Sequence, residues 1–294
     1  MSGHPTISIV SIVLNDAVGM QRTAQSIIEQ SDVPLEWIVI DGGSVDGTTT
    51  VLQQLRPHIR HLVSEPDGGI YDAMNKGLRL SNGDYVVFMN AGDSFSGPHC
   101  LRDVSQALRR SIEELELPDI LLSGARLIFP SGNSYYKPPR PPSYVKHSLP
   151  GNHQSTFVRT SLHKDNEFPT DYKICGDYAA IASMISRGAT VLTADIEVAR
   201  RDTSLNSTAV RSQSRIYEEC KRVQREVLSL PEEWIRVSHR KRFLNQEGRR
   251  MLTRMNSTRL GSWVASSLDK LSLTSGRSSP SGRVHFYRGA QDLT

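Results

Sequence analysis

The stretch ISIVSIVLNDAVGMQRTAQSII, residues 7–28, decides which fold this chain is expected to adopt. Its first part, Ile7–Leu14, is rich in isoleucine and valine, which is typical of a strand that is buried on both faces. Beyond a polar pair, Met20, Ala24 and Ile27 recur at the spacing of one helical face. A buried strand that leads directly into an amphipathic helix is the repeating unit of parallel α/β sheets.

The same pattern of strand and helix repeats along the chain. Further strands are predicted at Trp37–Ile40, His61–Ser64, Tyr85–Met89, Asp119–Phe129 and Ala189–Ala194. Segments with helical periodicity follow most of them, and another helix is predicted from Asp177 to Arg187. The prediction is therefore an α/β fold with a mostly parallel sheet and helices on both of its faces.

The composition is typical of a water-soluble globular protein. Of the 294 residues, 37% are hydrophobic and 22% are charged, and the longest apolar runs are far shorter than the ~20 residues that cross a bilayer. No basic leader or signal-peptide core precedes the first predicted strand. The three cysteines, Cys100, Cys175 and Cys220, match no metal or redox spacing. We therefore expect a cytoplasmic protein rather than a secreted or membrane-spanning one.

Positive charge is concentrated towards the C-terminus. Residues 1–199 contain 16 Lys and Arg against 22 Asp and Glu, whereas residues 200–260 contain 15 against 7. The acidic body argues against nucleic acid as a partner, and the basic segment is expected to face an anionic membrane surface. A solvated helix face is the alternative explanation of the same charges. We predict a basic helical extension at 213–260 and a low-complexity, mobile tail at 261–294.

Polar residues follow each of the first four predicted strands. The strand ends carry Asn15-Asp16, Asp41–Gly47, Glu65–Gly69 and Asn90–Asp93. Any one of these ends is explained equally well by a helix cap or a turn. Because the carboxyl ends of neighbouring parallel strands meet at one edge of the sheet, the four ends together predict a ligand site at that edge.

The sequence also limits what this ligand can be. No GxGxxG follows the first strand, and no GxxxxGK followed by Ser or Thr occurs, which argues against a dinucleotide fold and a P-loop. The predicted edge is instead rich in carboxylates, which repel a phosphate group unless a divalent cation lies between them. A ligand with a phosphate group therefore implies Mg²⁺ or Mn²⁺. Asp41 has the alternative role of accepting hydrogen bonds from a nucleobase or ribose.

Several segments of the chain resemble the family 2 glycosyltransferases, which have the GT-A fold. They are DGGSVDGT at 41–48, SEPDGGIYDAMNKGL at 64–78, GDYVVFMNAGD at 83–93, HSLPGNHQSTF at 147–157, GDY at 176–178 and KRVQREVLSLPEEW at 221–234. The series extends over roughly residues 5–255 and is most similar to exopolysaccharide glycosyltransferases of the colanic-acid type. The resemblance implies a GT-A domain at 1–212, with a nucleotide-sugar-binding half at 1–115 and an acceptor half at 116–212.

The resemblance assigns most site residues to the nucleotide sugar and its metal ion. The nucleotide-sugar-binding positions are Asn15, Asp41, Ser44, Asp67 and Asn90, and the metal ligand is Asp93. Lys76, on the helix after the third strand, is added to the nucleotide-sugar-binding residues because its positive charge can neutralise phosphate. Asn90 and Gly92 stand where the family often has aspartates, so one carboxylate remains, and the ion is expected either to depend on the donor diphosphate and water or to bind weakly. A tight turn at Asn90–Asp93 and a solvated Lys76 are the alternative explanations.

On the acceptor side, the resemblance points to three residues. Asp177 matches the acidic position that takes the proton of the attacking sugar hydroxyl, and its alternative role is to stabilise a helix N-terminus. His153 and Gln154 match the H-Q pair of the family, which lines the same cleft beside the diphosphate or the acceptor. A histidine with a purely structural role is the alternative for His153.

The resemblance implies an inverting glycosyltransferase that moves a sugar from a nucleotide diphosphate sugar to a lipid-linked oligosaccharide in exopolysaccharide biosynthesis. Its expected place is the inner face of the cytoplasmic membrane. Two other functions stay open. A sugar nucleotidyltransferase needs a glycine-rich basic loop after the first strand, and Asn15–Gly19 contains no Lys or Arg. A catalytically degenerate scaffold is favoured by Gly92 and opposed by the presence of both Asp93 and Asp177.

Overall fold

The structure, a computed structural model, describes residues 4–31, 33–114, 116–128, 134–202, 213–236 and 279–288. The strands are β1 Ile7–Val13, β2 Leu35–Asp41, β3 His61–Ser64, β4 Tyr85–Phe88, β5 Ser94–Phe95, β6 Ile120–Ile128, β7 Ser134–Lys137, β8 Thr156–Arg159, β9 Val191–Asp202 and β10 Val284–Tyr287. The helices are α1 Ala17–Ile28, α2 Thr48–Leu55, α3 Ile70–Leu80, α4 Cys100–Glu114, α5 Thr160–Lys164, α6 Gly176–Ser186 and α7 Gln213–Arg222.

Eight of these strands form one continuous sheet in the order β3-β2-β1-β4-β8-β6-β9-β10. Parallel ladders join β1 to β2 and β4, β2 to β3, and β6 to β9, whereas β8 and β10 pair antiparallel with their neighbours. Six of the eight strands therefore run in one direction. The short strands β5 and β7 pair with β9 and β6. This order confirms the predicted α/β fold with a mostly parallel sheet.

Strand β1 is a buried central strand, as its isoleucines and valines predict. Ile7, Ile9 and Val10 are fully buried. Ile7 and Ile9 belong to the core cluster that includes α1, α2 and α4, and Val10 belongs to the cluster that includes α3 and α6. Because side chains alternate along a strand, β1 contributes to both clusters. The carboxyl ends of β1 to β4 consequently lie at one edge of a helix–sheet–helix sandwich.

The sequence pattern does not predict β8, which joins the second half of the domain to the first. This strand pairs with β4 through Val158 opposite Val86, and with β6 through Phe157 opposite Leu121. A strand of four residues has too little length to show a period, and both of its partners are distant in sequence. Because β8 runs against its neighbours, the residues that precede it lie at the carboxyl edge of the parallel strands.

Helix α7 belongs to the domain core, although the sequence predicts it as part of a separate extension. It continues as a short π-helix, Val223–Val227, and Cys220 and Val223 are buried in the same cluster as α6. The Gln224 amide donates to the backbone carbonyl of Lys146 at 2.9 Å. The domain that is predicted to end at residue 212 therefore includes this segment.

The described part of the predicted extension carries no net charge. Residues 213–236 contain five Lys and Arg and five Asp and Glu, and Lys221, Arg222 and Arg225 each pair with a carboxylate. The positive charge that is expected to face a membrane lies at 237–260, where there are seven Lys and Arg and one Glu. These residues lie outside the described ranges.

The prediction of a mobile tail at 261–294 is wrong for Val284–Tyr287. These residues form β10, which pairs antiparallel with β9 through Val284 opposite Ala194 and Tyr287 opposite Val191. The segment VHFY has the β-branched and aromatic residues that are typical of strands, and it pairs along the edge of β9. The rest of the predicted tail, apart from 279–283 and 288, lies outside the described ranges.

Gly77 allows α3 to lie close to the sheet. A Cβ atom at this position would be 2.3 Å from Val10 Cγ1 and 3.4 Å from Ile40 Cγ1. We expect Gly77→Ala to lower the free energy of unfolding in urea by about 1–3 kcal/mol, which is the usual penalty for overpacking a core. Gly97→Ala is the control, since among the described residues, its two chain neighbours apart, no atom lies within 4 Å of its Cβ position. A Gly77→Ala protein as stable as this control would contradict the expectation.

Candidate active site

A cavity of about 1080 Å³ opens at the carboxyl edge of the sheet. Both predicted halves line it, with Asn15, Tyr71, Asn90 and Asp93 from the first half and Lys137, His153, Gln154, Asp177 and Arg201 from the second. Helix α7 contributes Ile216 and Cys220. The cavity therefore lies where the ends of β1 and β4 meet the residues that precede β8 and begin α6.

The turn that follows β4 is held by a buried threonine of α1. The Thr23 hydroxyl lies 2.6 Å from the Asp93 carbonyl oxygen, and it accepts the Gly92 backbone N–H at 3.1 Å. Gly92 has a φ of +91°, in the left-handed region that favours glycine. The backbone conformation at position 92, where the family often has an aspartate, therefore favours glycine. Asp93 remains the carboxylate of the turn.

His153 lies between two carboxylates. Its Nδ1 atom is 3.3 Å from Asp177 Oδ2, and its Nε2 atom is 4.0 Å from Asp93 Oδ2. The Gln154 amide nitrogen donates to the same Asp93 oxygen at 2.8 Å. His153 and Gln154 form a short 3₁₀ helix directly before β8, so the direction of this strand brings them to Asp93. The predicted metal ligand, the H-Q pair and the predicted base thus meet in one cluster.

Asp177 is fixed at the N-terminus of α6. Its Oδ1 atom accepts the Tyr178 backbone N–H at 2.8 Å and lies 3.4 Å from the Tyr71 hydroxyl, which donates to the Ile174 carbonyl at 2.5 Å. Burial and, to a smaller extent, the negative charge of Asp177 raise the pKa of Tyr71, so this hydroxyl stays protonated. The Asp177 side chain is 17% exposed and lines the cavity, which leaves it accessible to a ligand.

Three buried polar atoms around Asp93 have no hydrogen-bond partner among the residues that the structure describes: Asn90 Oδ1, His153 Nε2 and Gln154 Oε1. Buried polar atoms are nearly always satisfied in folded proteins, so these three point to a ligand at this place. If His153 donates from Nδ1 to Asp177, the lone pair of Nε2 faces Asp93. A histidine held by a carboxylate in this way is typical of metal sites.

The donor set is compatible with a divalent cation that the protein alone binds incompletely. Within the described ranges, no group of three His, Cys, Asp or Glu side chains is close enough to hold an ion. The Asp93 carboxylate, the His153 imidazole and the Asn90 amide oxygen are nevertheless of the types that bind Mn²⁺, and the oxygens also suit Mg²⁺. Substrate phosphate and water would have to supply the remaining ligands.

Asp41 and Ser44 organise the strand ends. Asp41 is fully buried, and its carboxylate accepts the Ser44 hydroxyl at 2.5 Å and the Ser64 hydroxyl at 2.6 Å. The Ser44 oxygen in turn accepts the Asn15 backbone N–H at 2.8 Å. This bond holds Asn15, whose φ is +51°, in a turn beside the end of β2. Asn15 lines the cavity, whereas Asp41 and Ser44 do not.

Asp67 and Lys76 lie after β3 and do not line the cavity. The Asp67 carboxylate accepts the Gly69 backbone N–H at 2.8 Å. Lys76 Nζ lies 2.8 Å from Glu65 and donates to the Pro66 carbonyl at 3.2 Å. The hydrogen bond with Glu65 is the main cause of a raised pKa of Lys76. Lys76 therefore stabilises the loop before α3, and contact of these two residues with a nucleotide stays a prediction.

Glu219 of α7 is a residue near the site that no sequence motif reveals. Its carboxylate accepts the backbone N–H groups of Lys173, Ile174 and Cys175 at 2.9–3.0 Å. These bonds hold the loop that leads into α6. The Cys175 sulfur also lies 3.7 Å from the sulfur of Cys220, 45 residues further along the chain. Contacts over such separations leave no periodic signal in a sequence.

Cations from β7 and β9 also line the cavity, and no motif includes them. Lys137 Nζ donates to Asn152 Oδ1 at 3.2 Å. Burial, together with the positive charges of Arg201 and Arg140, lowers the pKa of Lys137 to about 8. This wall of the cavity is therefore positively charged.

Residues 8–121 match the family described as Glycosyl transferase family 2. The match includes Asn15, Asp41 and Asp93, and it ends before His153 and Asp177. Over 109 residues, the chain is 42% identical to an uncharacterized glycosyltransferase of Mycobacterium tuberculosis. This similarity covers 37% of the chain and 42% of the relative, so the chain matches less than half of the relative's length.

Two solved structures illustrate the shared fold. S. aureus TarS in complex with UDP has a TM-score of 0.54 and 20% identity, over 78% of this chain and 68% of that chain. The mannosyltransferase PcManGT from Pyrobaculum calidifontis, in complex with GDP-Man and Mn²⁺, has a TM-score of 0.57 and 16% identity, over 92% of this chain and 81% of that chain. At these identities the likeness concerns the fold, and it agrees with the GT-A architecture expected from the sequence.

We expect Glu219→Ala to lower the free energy of unfolding by about 1–3 kcal/mol, because backbone N–H groups lose a charged acceptor. Urea unfolding measures this loss, and amide hydrogen exchange at Ile174 should become faster. Glu218→Ala is the matched control, since this exposed neighbour pairs with Lys221 at 3.3 Å. Its loss should change the free energy by less than about 0.5 kcal/mol. Equal effects of the two substitutions would count against the assigned role of Glu219.

Proposed function

We propose that this protein is an inverting glycosyltransferase that moves a sugar from a nucleotide diphosphate sugar to a hydroxyl group of an acceptor glycan. The observation that carries the proposal is the cluster of Asp93, His153 and Asp177 at the carboxyl edge of a mostly parallel sheet. The family match of residues 8–121 and the relative named as a glycosyltransferase support the same activity.

In the proposed reaction, Asp177 is the base. The acceptor hydroxyl oxygen forms a bond to the anomeric carbon of the donor sugar. The bond from that carbon to the phosphate oxygen breaks, and its electron pair stays on the nucleoside diphosphate. The hydroxyl proton passes to the Asp177 carboxylate, whose charge also stabilises the positive charge that develops at the anomeric carbon. A single displacement of this kind inverts the anomeric configuration.

A divalent cation fits this proposal. Asp93, Asn90 and His153 would hold Mg²⁺ or Mn²⁺, and the combination of oxygen atoms with an imidazole nitrogen favours Mn²⁺. Such an ion, when bound, neutralises negative charge on the donor diphosphate. UDP and GDP are the first nucleotides to test, because the two similar folds described above were solved with UDP and GDP-Man.

We further propose a lipid-linked oligosaccharide as the acceptor, in exopolysaccharide synthesis of the colanic-acid type at the inner face of the cytoplasmic membrane. The support is the sequence resemblance and the positive charge of residues 237–260. Each basic residue near an anionic lipid surface adds about 1 kcal/mol of attraction. None of the helices in the described ranges has the length and apolar character needed to cross a bilayer.

The two alternative functions find less support at the site. A nucleotidyltransferase would need cations in the loop after β1, but there Asp16 caps α1 by accepting the Gly19 N–H at 2.9 Å. A scaffold that only binds its partners has no use for a carboxylate held beside an imidazole in the cavity. Turnover of a donor sugar nucleotide by the purified protein would distinguish a catalyst from a scaffold.

We expect Asp177→Asn to reduce transfer by 10²–10⁴-fold, the usual effect of losing a general base, and to leave nucleotide affinity unchanged. Initial rates at saturating donor and Mn²⁺, together with calorimetric nucleotide titration, measure the two quantities. Asp171→Asn is the control, because this exposed carboxylate pairs with Arg222 away from the cavity. Near-normal transfer by Asp177→Asn would exclude Asp177 as the base.

A second variant separates the carboxylate from the imidazole that contacts it. His153→Gln removes the ring and keeps Asp177. If Asp177 takes the proton, His153→Gln should retain a far larger share of kcat at saturating Mn²⁺ than Asp177→Asn does. Equal losses of kcat would indicate that the proton passes to His153, with Asp177 orienting the ring.

We expect Asp93→Asn to abolish the extra stabilisation that Mn²⁺ gives to the nucleotide complex. In the wild type, a nucleoside diphosphate at 100 times its Kd should add about 2.7 kcal/mol of stability. A thermal-shift series with UDP, GDP, dTDP and CMP, with and without Mn²⁺, measures the effect. Asp103→Asn is the control, since this residue of α4 pairs with Arg102 on the surface. An unchanged Mn²⁺ effect in Asp93→Asn would remove Asp93 from the metal site.

A further inference from the structure

The cavity wall formed by β7 and β9 carries cations that the proposed reaction does not use. Lys137 lies opposite Ala125 of β6, and Arg201 lies opposite Leu127 of the same strand. Positions two residues apart in a strand share one face of a sheet, so Lys137 and Arg201 project from the same face. Both line the cavity, and the charge of Arg140 acts on Lys137 from the loop after β7.

Within the described ranges, these two cations have no carboxylate partner of the kind that neighbouring cations have. Among the residues that the structure describes, no Asp or Glu oxygen lies within 4.0 Å of Lys137 or Arg201, whereas Arg126 and Arg200 both pair with Glu197. Partial burial of a cation without a counter-charge is unfavourable. The pair is therefore suited to an anion that enters the cavity.

Arg201 lies beside the turn that holds Asp93. Strand β5 pairs antiparallel with β9, and Ser94 lies opposite Arg200. Continued by one residue, this register brings Asp93 level with Arg201. Arg201 and the proposed metal ligand line the same cavity.

Lys137 is connected to the same turn through Asn152. Its Nζ atom contacts the side chain of Asn152 at 3.2 Å. Asn152 immediately precedes the short helix whose Gln154 donates to Asp93 at 2.8 Å. Both cations thus belong to segments that adjoin the ones holding Asp93, which the diphosphate of a sugar nucleotide would approach.

We propose that Lys137 and Arg201 bind the diphosphate of the donor and stabilise it as the leaving group. This inference rests on the proposed function and adds to it the residues that hold the phosphates. When the bond between the anomeric carbon and the phosphate oxygen breaks, the electron pair adds one negative charge to the nucleoside diphosphate. Cations that are already in place stabilise this charge without any rearrangement of solvent.

Lys137 and Arg201 together form a phosphate subsite. This subsite makes the binding of a nucleoside diphosphate partly independent of a divalent cation. The turn at Asn90–Asp93 has one carboxylate, and Gly92 is held at a φ that disfavours an aspartate there. Fixed cations therefore supply positive charge that a stronger metal site would otherwise provide. The pKa of Lys137, about 8, leaves the amine mostly protonated at pH 7, and an anion beside it would raise that value further.

A phosphate group on the acceptor has the same chemistry as the donor diphosphate. The connection of both cations to the segments that hold Asp93 favours the donor. Binding measurements without an acceptor separate the two sources, because only a donor subsite changes the affinity for a nucleoside diphosphate.

The test is calorimetric titration of the full chain in the presence of EDTA. The probes are inorganic pyrophosphate, UDP and GDP, with uridine and guanosine as matched probes that lack phosphate. We expect Lys137→Met and Arg201→Met each to weaken the binding of pyrophosphate and of the preferred nucleoside diphosphate by about tenfold or more. Affinity for the nucleoside should stay within about twofold of the wild-type value, since neither substituted side chain is expected to contact the nucleoside.

Arg200→Met is the matched control, because it removes the same type of side chain from the adjacent residue, which faces the other side of β9. It should leave all affinities unchanged. Lys137→Arg keeps the charge and should retain most of the pyrophosphate affinity. Melting temperatures without ligand verify that each variant is folded.

Several results would overturn the proposal. These are wild-type affinity for pyrophosphate and nucleoside diphosphate in both methionine variants, an equal loss in Arg200→Met, or a proportional loss for the nucleosides. Unchanged binary binding with a raised KM for a phosphorylated acceptor would also overturn it and assign the cations to the acceptor. Wild-type protein that binds pyrophosphate as tightly as any nucleoside diphosphate would instead contradict the proposed function. The pyrophosphate affinities of the wild type and the two methionine variants would still test the role of the cations.

Discussion

The site depends on the direction of one short strand. Parallel strands bring the residues that follow them to the carboxyl edge of a sheet, and β8 runs the opposite way between β4 and β6. It therefore brings the residues that precede it to that edge, which is why His153 and Gln154 reach Asp93. The same strand joins the two halves of the domain through fully buried residues such as Phe157. A change of its register by one residue would turn Phe157 away from the core and misplace the cluster.

The distribution of charge in the cavity follows from this arrangement of strands. Asp93 and Asp177 lie on either side of the His153 ring, and each is held by a hydrogen bond from a neighbouring residue. Lys137 and Arg201 line the wall provided by β7 and β9. Asp177 at one end of this cluster, and Asp93 with the two cations at the other, suit the proposed reaction, in which a proton is accepted at one end and a diphosphate leaves at the other. Gly92 has a φ of +91°, which favours glycine over a further carboxylate at this position of the turn.

The sequence predicted the elements of the first half well, because they are regular. The β1 segment was recognisable from its isoleucines and valines, and His61–Ser64 was predicted with the bounds that β3 has. It missed β8, whose partners are far away in the chain, and it assigned Val284–Tyr287 to a tail although these residues pair with β9. It also treated α7 as a separate extension, because its charges are easier to see in a sequence than its burial of Cys220 and Val223.

The sequence by itself determined the α/β class and the polar residues at the ends of the first four parallel strands, because these features are local and follow the period of a strand or helix. Only the tertiary structure decided which residues meet at the site. It brought Asp93, His153 and Asp177 together, placed Lys76 on Glu65 outside the cavity, and added Arg201 to the cavity wall. The reason is that contacts between strands and loops distant in the chain are fixed by pairing direction and burial, which no local pattern of residues records.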